Sequence, residues 1–210
     1  MRRLVYALPL LAFAAIAAWF LIGLGKDPSK LPSALIDKPV PQFALPALEG
    51  GNGKGLATED LRGRVALVNF FASWCGPCKE SYPGLNRLRE RFGSRGFRVV
   101  LATQLYGYFQ AERNLDAAAE VDRDRTYFAE HHLNVPIAIG ERMTASMKNN
   151  VMVYSPAKNP NDEAYKVGGI PQIHLIDRQG RIRLIMVGYD DANEPKLATL
   201  IEQLLSERRP

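Results

Sequence analysis

Apolar and polar positions divide the chain into two unlike stretches. Residues 4–25 hold 19 apolar residues in 22 and no charge, whereas the rest of the chain mixes apolar and polar positions throughout. As a helix rising 1.5 Å per residue, the first stretch reaches ~33 Å, enough to cross a ~30 Å hydrocarbon core. Arg2 and Arg3 precede it, and bulky residues stand at its end where a signal peptidase needs small ones. Residues 1–26 are therefore expected to form an uncleaved signal-anchor, a transmembrane helix whose N-terminus stays cytoplasmic. Residues 27–38, with Pro28 and Pro32 among them, read as a linker. Residues 39–210 read as the exported domain.

Inside that domain two periodicities alternate. Residues 64–71 are a short, nearly continuous apolar run, as in a strand buried on both faces. Tyr82, Leu85, Leu88 and Phe92 then recur at spacings of three and four, which predicts a helix. Residues 97–104 give a second buried strand. Residues 115–133 predict a helix with Ala118, Val121, Tyr127 and Phe128 inward and a charged opposite face. Residues 136–139 form a brief third strand. Residues 170–177 and 181–187 flank Arg178-Gln179-Gly180 as a hairpin. Leu197, Leu200, Ile201, Leu204 and Leu205 mark a terminal amphipathic helix, and residues 50–55 and 154–161 read as loops. Strand, helix, strand, hairpin and closing helix make an α/β layered domain.

Charge changes the picture little. The whole chain carries a net +5, but setting aside Arg2, Arg3 and Lys26 leaves 24 basic against 22 acidic residues. That near balance is no footprint for nucleic acid. The lipid bilayer, met through the first stretch, is the one partner that composition implies.

Candidate chemistry is concentrated at Trp74-Cys75-Gly76-Pro77-Cys78, which holds both cysteines of the chain. Two cysteines separated by two residues close a small disulfide ring only where the backbone turns, and a helix start supplies the turn. Cys75 at the helix N-terminus would be stabilised as a thiolate by free N–H groups and the macrodipole. Cys78, one turn in, is then placed to attack a mixed disulfide. Pro77 near the helix start forfeits no intrahelical hydrogen bond. A purely structural bridge over two residues would restrain almost no chain entropy. A zinc site lacks a second cysteine pair; His131 and His132 are adjacent and point apart, and His174 is alone in a strand.

The stretch Asp60-Leu61-Arg62-Gly63-Arg64-Val65-Ala66-Leu67-Val68-Asn69-Phe70-Phe71-Ala72-Ser73-Trp74-Cys75-Gly76-Pro77-Cys78 resembles the active-site strand and turn of the thioredoxin superfamily. Within it the chain is similar to the membrane-anchored TlpA-like reductases, which include the CcmG/DsbE type and ResA-like relatives. Ser33-Ala34-Leu35-Ile36-Asp37-Lys38-Pro39-Val40-Pro41 is similar to the segment before the domain in the cytochrome c maturation branch. Gly168-Gly169-Ile170-Pro171-Gln172-Ile173-His174-Leu175-Ile176-Asp177 matches the family's cis-proline loop and following strand. The likeness covers most of residues 38–207, while 104–160 is a longer, weakly matched central insertion.

The resemblance implies a thioredoxin-like fold, a central mixed sheet flanked by helices, behind one transmembrane helix. It implies Cys75 as attacking thiol, Cys78 as resolving thiol, and a cis Pro171 facing the disulfide. Ile170 would offer its backbone to an extended substrate. No cofactor is implied beyond a redox-active Cys75–Cys78 disulfide. Implied partners are a disulfide-bearing exported protein, such as the haem-binding CxxCH of an apocytochrome c, and an electron-donating membrane reductase of the DsbD or CcdA type. The implied place is the periplasmic side of the bacterial inner membrane.

Two departures bear on proton transfer. Asn69 stands where ordinary thioredoxin has a buried Asp, and Ser81 stands where many relatives have Glu; Glu80 falls on another helix face. Trp74 reads as an apolar platform beside the nucleophile. Tyr106, Tyr108 and Phe109 read as loop packing or as a wall of the substrate groove, and Lys79 as a weak electrostatic aid to the Cys75 thiolate. Two other classes are weighed against this reading. A thiol peroxidase would need a hydroxyl in a Pro-x-x-x-Thr-x-x frame, where Val68 and Ala72 stand. A Sco-like copper chaperone would space its cysteines by three residues and recruit a histidine such as His174.

Overall fold

The computed structural model describes residues 33–42, 44–45, 47–49, 56–133, 135, 137–140, 144–148, 151–155, 160–189 and 191–207, with Pro9, Ala12, Phe13 and residues 15–19 of the N-terminal stretch. The chain divides into two units, Met1–Ala34 and Leu35–Pro210. In the first, the described residues other than those after 32 are helical, with Phe13, Ile16 and Trp19 exposed. Most of the expected anchor lies outside the described residues. Among the described residues no helix is long and apolar enough to cross a membrane, so the spanning helix expected over residues 1–26 is not found there.

In the second unit the strands and helices run, in chain order, β1 (Ala44–Leu45), β2 (Ala47–Glu49), β3 (Leu56–Ala57), β4 (Val65–Phe70), α1 (Gly76–Phe92), β5 (Phe97–Gln104), β6 (Tyr108–Phe109) and β7 (Glu112–Arg113). They continue with α2 (Ala117–Glu130), β8 (Ile137–Gly140), β9 (Thr144–Lys148), β10 (Val151–Ser155), α3 (Pro160–Ala164), β11 (Gln172–Ile176), β12 (Ile182–Val187) and α4 (Glu194–Ser206). The main sheet has six strands in the order β12-β11-β4-β5-β8-β2. β4, β5 and β8 are parallel, and β11, β12 and β2 run against their neighbours. This is the expected mixed α/β sheet flanked by helices.

β4 is central, and all six of its residues are buried, as a two-faced apolar run requires. Alternation along the strands sorts the core into two clusters. Val65, Leu67, Val99, Leu101, Ile173 and Leu175 pack with side chains of α1, α2 and α4. Ala66, Val68, Phe70, Val100 and Ile176 pack on the other face with Val40, Leu61 and Tyr165. Residues 35–40, spanning the end of the expected linker, are paired to the sheet: Asp37 N donates to Ile182 O at 2.7 Å and Val40 N to Gly180 O at 2.8 Å. The β11–β12 turn closes on Asp177, whose Oδ1 accepts from the N–H groups of Gln179 and Arg181, with Gly180 left-handed at φ 75°.

α2 differs from its expected face. Asp116 caps it, with Oδ1 accepting from Ala119 N at 2.8 Å. Its buried stripe is Glu120, Asp124, Tyr127 and Phe128, while Ala118 is exposed. Two carboxylates of the expected charged face thus point inward, because each meets polar groups at the site described below. The expected insertion also holds two two-stranded pairs, β6–β7 and β9–β10, and the latter replaces part of the loop read over 154–161. At α1, Gly84 lets Tyr189 lie across the helix; a Cβ there would stand 2.0 Å from the Tyr189 hydroxyl oxygen. That hydroxyl donates to Glu194, which Arg87 also holds.

Candidate active site

Chain direction brings the two cysteines to the C-terminal end of the central parallel strand. After β4, Phe71 N donates to Ala102 O at 3.0 Å and Cys75 N to Ala72 O at 3.1 Å, turning the chain into α1. Cys75 is the N-cap of α1, extended at φ −83°, ψ 106°, and Pro77 occupies the first turn. Cys75 and Cys78 form a disulfide with Cα atoms 5.3 Å apart. Cys78 N–H lies 3.2 Å from Cys75 Sγ, so a donor is in place for the thiolate that reduction leaves on that sulfur. Cys75 is 4% exposed and Cys78 fully buried, which makes Cys75 the sulfur nearer to solvent.

A second loop meets the pair. The Ile170–Pro171 peptide bond is cis, and the Ile170 carbonyl oxygen lies 3.8 Å from Cys75 Sγ. Gly188 N donates to Pro171 O at 2.7 Å, and Gln172 pairs with Phe70 in the ladder. Buried side chains hold this loop from behind. Gln172 Oε1 accepts from Gly168 N at 2.9 Å, and its Nε2 contacts Lys166 O at 3.3 Å and His174 Nε2 at 2.8 Å. His174 therefore accepts at Nε2 and is neutral; burial lowers its pKa to about 4. It packs edge-on against Phe70 and Tyr165 on the sheet face opposite the cysteine cluster. It cannot join Cys75 and Cys78 as a third ligand in this arrangement, which removes the geometric basis of a copper-chaperone reading.

The cysteine side carries the two carboxylates of α2. Glu120 accepts from Tyr106 N at 2.5 Å and Gly107 N at 2.7 Å, fixing the turn after β5. Tyr106 then meets Trp74 edge-on, with ring centroids 5.5 Å apart. Trp74 is 45% exposed, so it is a surface platform next to Cys75 rather than core. Tyr108 continues the strip at 5.8 Å and is covered by the Arg113 guanidinium, whereas Phe109 turns inward against Tyr127. Asp124 is 3% exposed and its pKa is raised to about 6, first by burial, with the Ser73 hydroxyl pulling down and Glu120 pushing up. Burial likewise holds the Tyr82 and Tyr106 phenols above their ordinary range.

The structure brings together Trp74, Cys75, Gly76, Pro77, Cys78, Ile170 and Pro171. It does not gather the other residues singled out from sequence. Lys79 extends over the Tyr127 ring, its Nζ 5.3 Å from the centroid. Glu80 is exposed, and the Ser81 hydroxyl donates to Cys78 O at 2.6 Å. Asn69 is fully buried, and neither amide atom has a hydrogen-bond partner among the described residues. His131 stacks on Tyr127 at the end of α2. Sequence reasoning missed Glu120, Asp124 and Gln172. The only signal for the carboxylates was their spacing of four with Tyr127 and Phe128 at the next turn.

A cysteine pair at a helix start, facing a cis-proline loop across a mixed sheet, defines a thiol–disulfide oxidoreductase of thioredoxin-like fold. Comparison with known proteins narrows the class. The Redoxin family matches residues 36–201, and the chain belongs to that family. It is 32% identical to the thiol:disulfide interchange protein DsbE of Pseudomonas aeruginosa over 99% of this chain and 98% of that one. It is 31% identical to the DsbE of Pseudomonas fluorescens over the whole of both. A Chlorobium tepidum crystal structure assigned as DsbE superposes with a TM-score of 0.61 at 26% identity, covering 81% of this chain and 98% of that one. A thiol-disulfide isomerase of Corynebacterium glutamicum shares the fold at a TM-score of 0.57 and 24% identity, over 80% of this chain and 98% of that one. Within its family the protein is of the CcmG/DsbE type.

Proposed function

We propose that the protein is an exported, membrane-anchored reductase of disulfides in other exported proteins, with an apocytochrome c as the substrate expected from its kinship. The observation that carries the reading is the Cys75–Cys78 disulfide at the start of α1, with Cys75 Sγ beside the Ile170 carbonyl. In the reduced protein, the Cys75 thiolate attacks one sulfur of the substrate disulfide and releases the other as a thiolate. Cys78 then attacks Cys75 Sγ, closes the internal disulfide and releases the second substrate sulfur. Two electrons pass to the substrate, and the substrate thiolates take up protons. Ile170 supports this exchange by presenting backbone to an extended chain, and Trp74 and Tyr106 by offering an apolar wall.

Gly76-Pro77 is the dipeptide of reducing thioredoxins, whose potential is ~−270 mV. An exported reductant draws electrons from across the membrane, so a membrane reductase of the DsbD or CcdA type is the donor in this reading. No further cofactor enters it. The lipid bilayer holds the protein through residues 1–26, with the redox domain on the periplasmic side of the inner membrane.

Trapping tests the reading. Cys78→Ser in the native membrane should accumulate a mixed disulfide on Cys75, and the attached protein should carry a CxxCH pair. Recovery only of proteins without a reducible disulfide, or a measured potential near the ~−120 mV of a strong oxidant, overturns it.

A further inference from the structure

A dithiol that cycles two electrons must also cycle protons, and neither residue nearest the pair in the resembling folds can hold one here. Asn69 is an amide, and Ser81 donates its hydroxyl to the helix backbone. Three carboxylates are buried among the described residues: Glu120, Asp124 and Asp177. Asp177 is bound by Gln179 N, Arg181 N and Arg183, beyond the far end of β11. Five strand positions separate it from Gln172, the residue paired beside the site, about 17 Å. Glu120 spends its two oxygens on Tyr106 N and Gly107 N. Asp124 remains. It faces the Ser73 hydroxyl two residues before Cys75, and its Oδ1 has no hydrogen-bond partner among the described residues.

We propose that Asp124 is the redox-linked proton site of the Cys75–Cys78 pair, a positioning residue that gains a proton when a thiolate forms at Cys75 and loses it when the disulfide closes. This rests on the thiol–disulfide exchange itself, whichever protein is reduced. A dithiol donor delivers two electrons and breaks the Cys75–Cys78 bond. Cys78 takes one proton as a thiol, Cys75 remains a thiolate, and the Asp124 carboxylate takes the second proton. When the disulfide reforms, two electrons pass to the substrate disulfide and both protons are released to its two departing sulfurs through solvent. The balance is two electrons and two protons each way.

The surroundings suit that role. Ser73 faces Asp124 from the turn before α1, Tyr82 from α1, Tyr106 from the end of β5, and Glu120 and Tyr127 from its own helix. The three phenols are held neutral by burial and cannot take a proton from a thiol. Lys79 lies over the Tyr127 ring and Arg113 over the Tyr108 ring on this side. Asp162 of α3 also acts on Tyr106 and is likewise raised to about 6 by burial, so Asp162→Asn is the control that separates it from Asp124.

Infrared difference spectra of the full chain, taken between the oxidised and reduced states near pH 6.5, test the proposal directly. Reduction should raise a protonated-carboxyl band in the wild type and in Asp162→Asn, shift it in Asp124→Glu, and remove it in Asp124→Asn. In parallel, the pH midpoint of Cys75 alkylation should fall by about one unit in Asp124→Asn and recover in Asp124→Glu, because a like charge has been withdrawn. No reduction-linked carboxyl band in the wild type overturns the proposal without need of any variant. So does an unchanged alkylation midpoint in a folded Asp124→Asn protein. A wild-type pair that cannot be cycled by any dithiol would overturn the exchange reading too, and is told apart by the absence of free thiols after reduction.

Discussion

One face of the sheet buries His174 and the other Asp124, and burial acts on the two groups in opposite ways. His174, on the face with Phe70 and Tyr165, is engaged at Nε2 by Gln172, which in turn holds Gly168 and Lys166. It is a fixed acceptor within a lock on the cis-proline loop. Asp124, on the cysteine side, meets one hydroxyl and keeps an oxygen unengaged. Each keeps one atom without a partner among the described residues, Nδ1 of His174 and Oδ1 of Asp124, and burial favours the neutral form of both, so their pKa values move in opposite directions.

The sharpest way to break that comparison is pH. Burial lowers the His174 pKa from 6.5 to about 4, so its contribution is present above pH 6.5 and is lost as pH falls toward 4. Burial raises the Asp124 pKa from 3.8 to about 6, so its contribution is present below 3.8 and is lost as pH rises toward 6. Each shift corresponds to ~3 kcal/mol with opposite sign. In the wild type these two contributions should therefore offset each other, leaving a slope set by other groups such as Asp162, which burial also raises to about 6. Measured by denaturant relative to the wild type, stability should gain ~3 kcal/mol in His174→Gln as pH falls, and lose a similar ~3 kcal/mol in Asp124→Asn. Parallel curves for the two variants would refute the opposition.

A smaller effect is expected at the lock. Gln172→Ala leaves Gly168 N and His174 without their partner and should lose ~2 kcal/mol of stability, as well as slowing exchange with a protein disulfide. A loss below ~0.5 kcal/mol would show that the loop is held by packing alone. Glu120→Ala, on the other side, orphans two backbone donors and should lose ~2 kcal/mol, reading out also as a changed Trp74 fluorescence once Tyr106 is released. The smallest effect belongs to Trp74→Ala. Its half-exposed ring should alter stability by less than ~1 kcal/mol and leave exchange with a small disulfide intact, while slowing a protein substrate several-fold. Equal slowing of both substrates would argue against a docking role.

These contrasts explain how much was legible beforehand. The strand and turn at 64–78 could be read because local signals agree there: an apolar run, two cysteines and Pro77 in the first helical turn. Pro171 was visible only through the likeness of its loop to a known one. The terminal helix was legible because Leu197, Ile201 and Leu204 repeat on one face, and all three are buried. α2 was placed with Val121, Tyr127 and Phe128 inward as read, but Ala118 is exposed and two carboxylates join the inner face. A rule that sends charge outward has no term for a carboxylate satisfied by backbone N–H groups, as Glu120 is. Pro83 inside α1 removes one helical donor without ending the helix, since tertiary packing of Tyr82 and Leu85 outweighs a local break. The anchor expected at residues 1–26 lies mostly outside the described residues.

The close approach at Gly84 has a consequence for how the molecule opens. Tyr189 lies against that glycine and passes its hydroxyl to Glu194 at the start of α4, while Arg87, one turn along α1, holds the same carboxylate. The redox helix and the C-terminal helix are thus latched here, as they are again at Arg91–Glu202, and should unfold locally as one cooperative unit. Amide protons of Leu85, Leu88, Ile201 and Leu204 would then share one opening free energy, and a change far out on α4 would be felt as looseness at the cysteines.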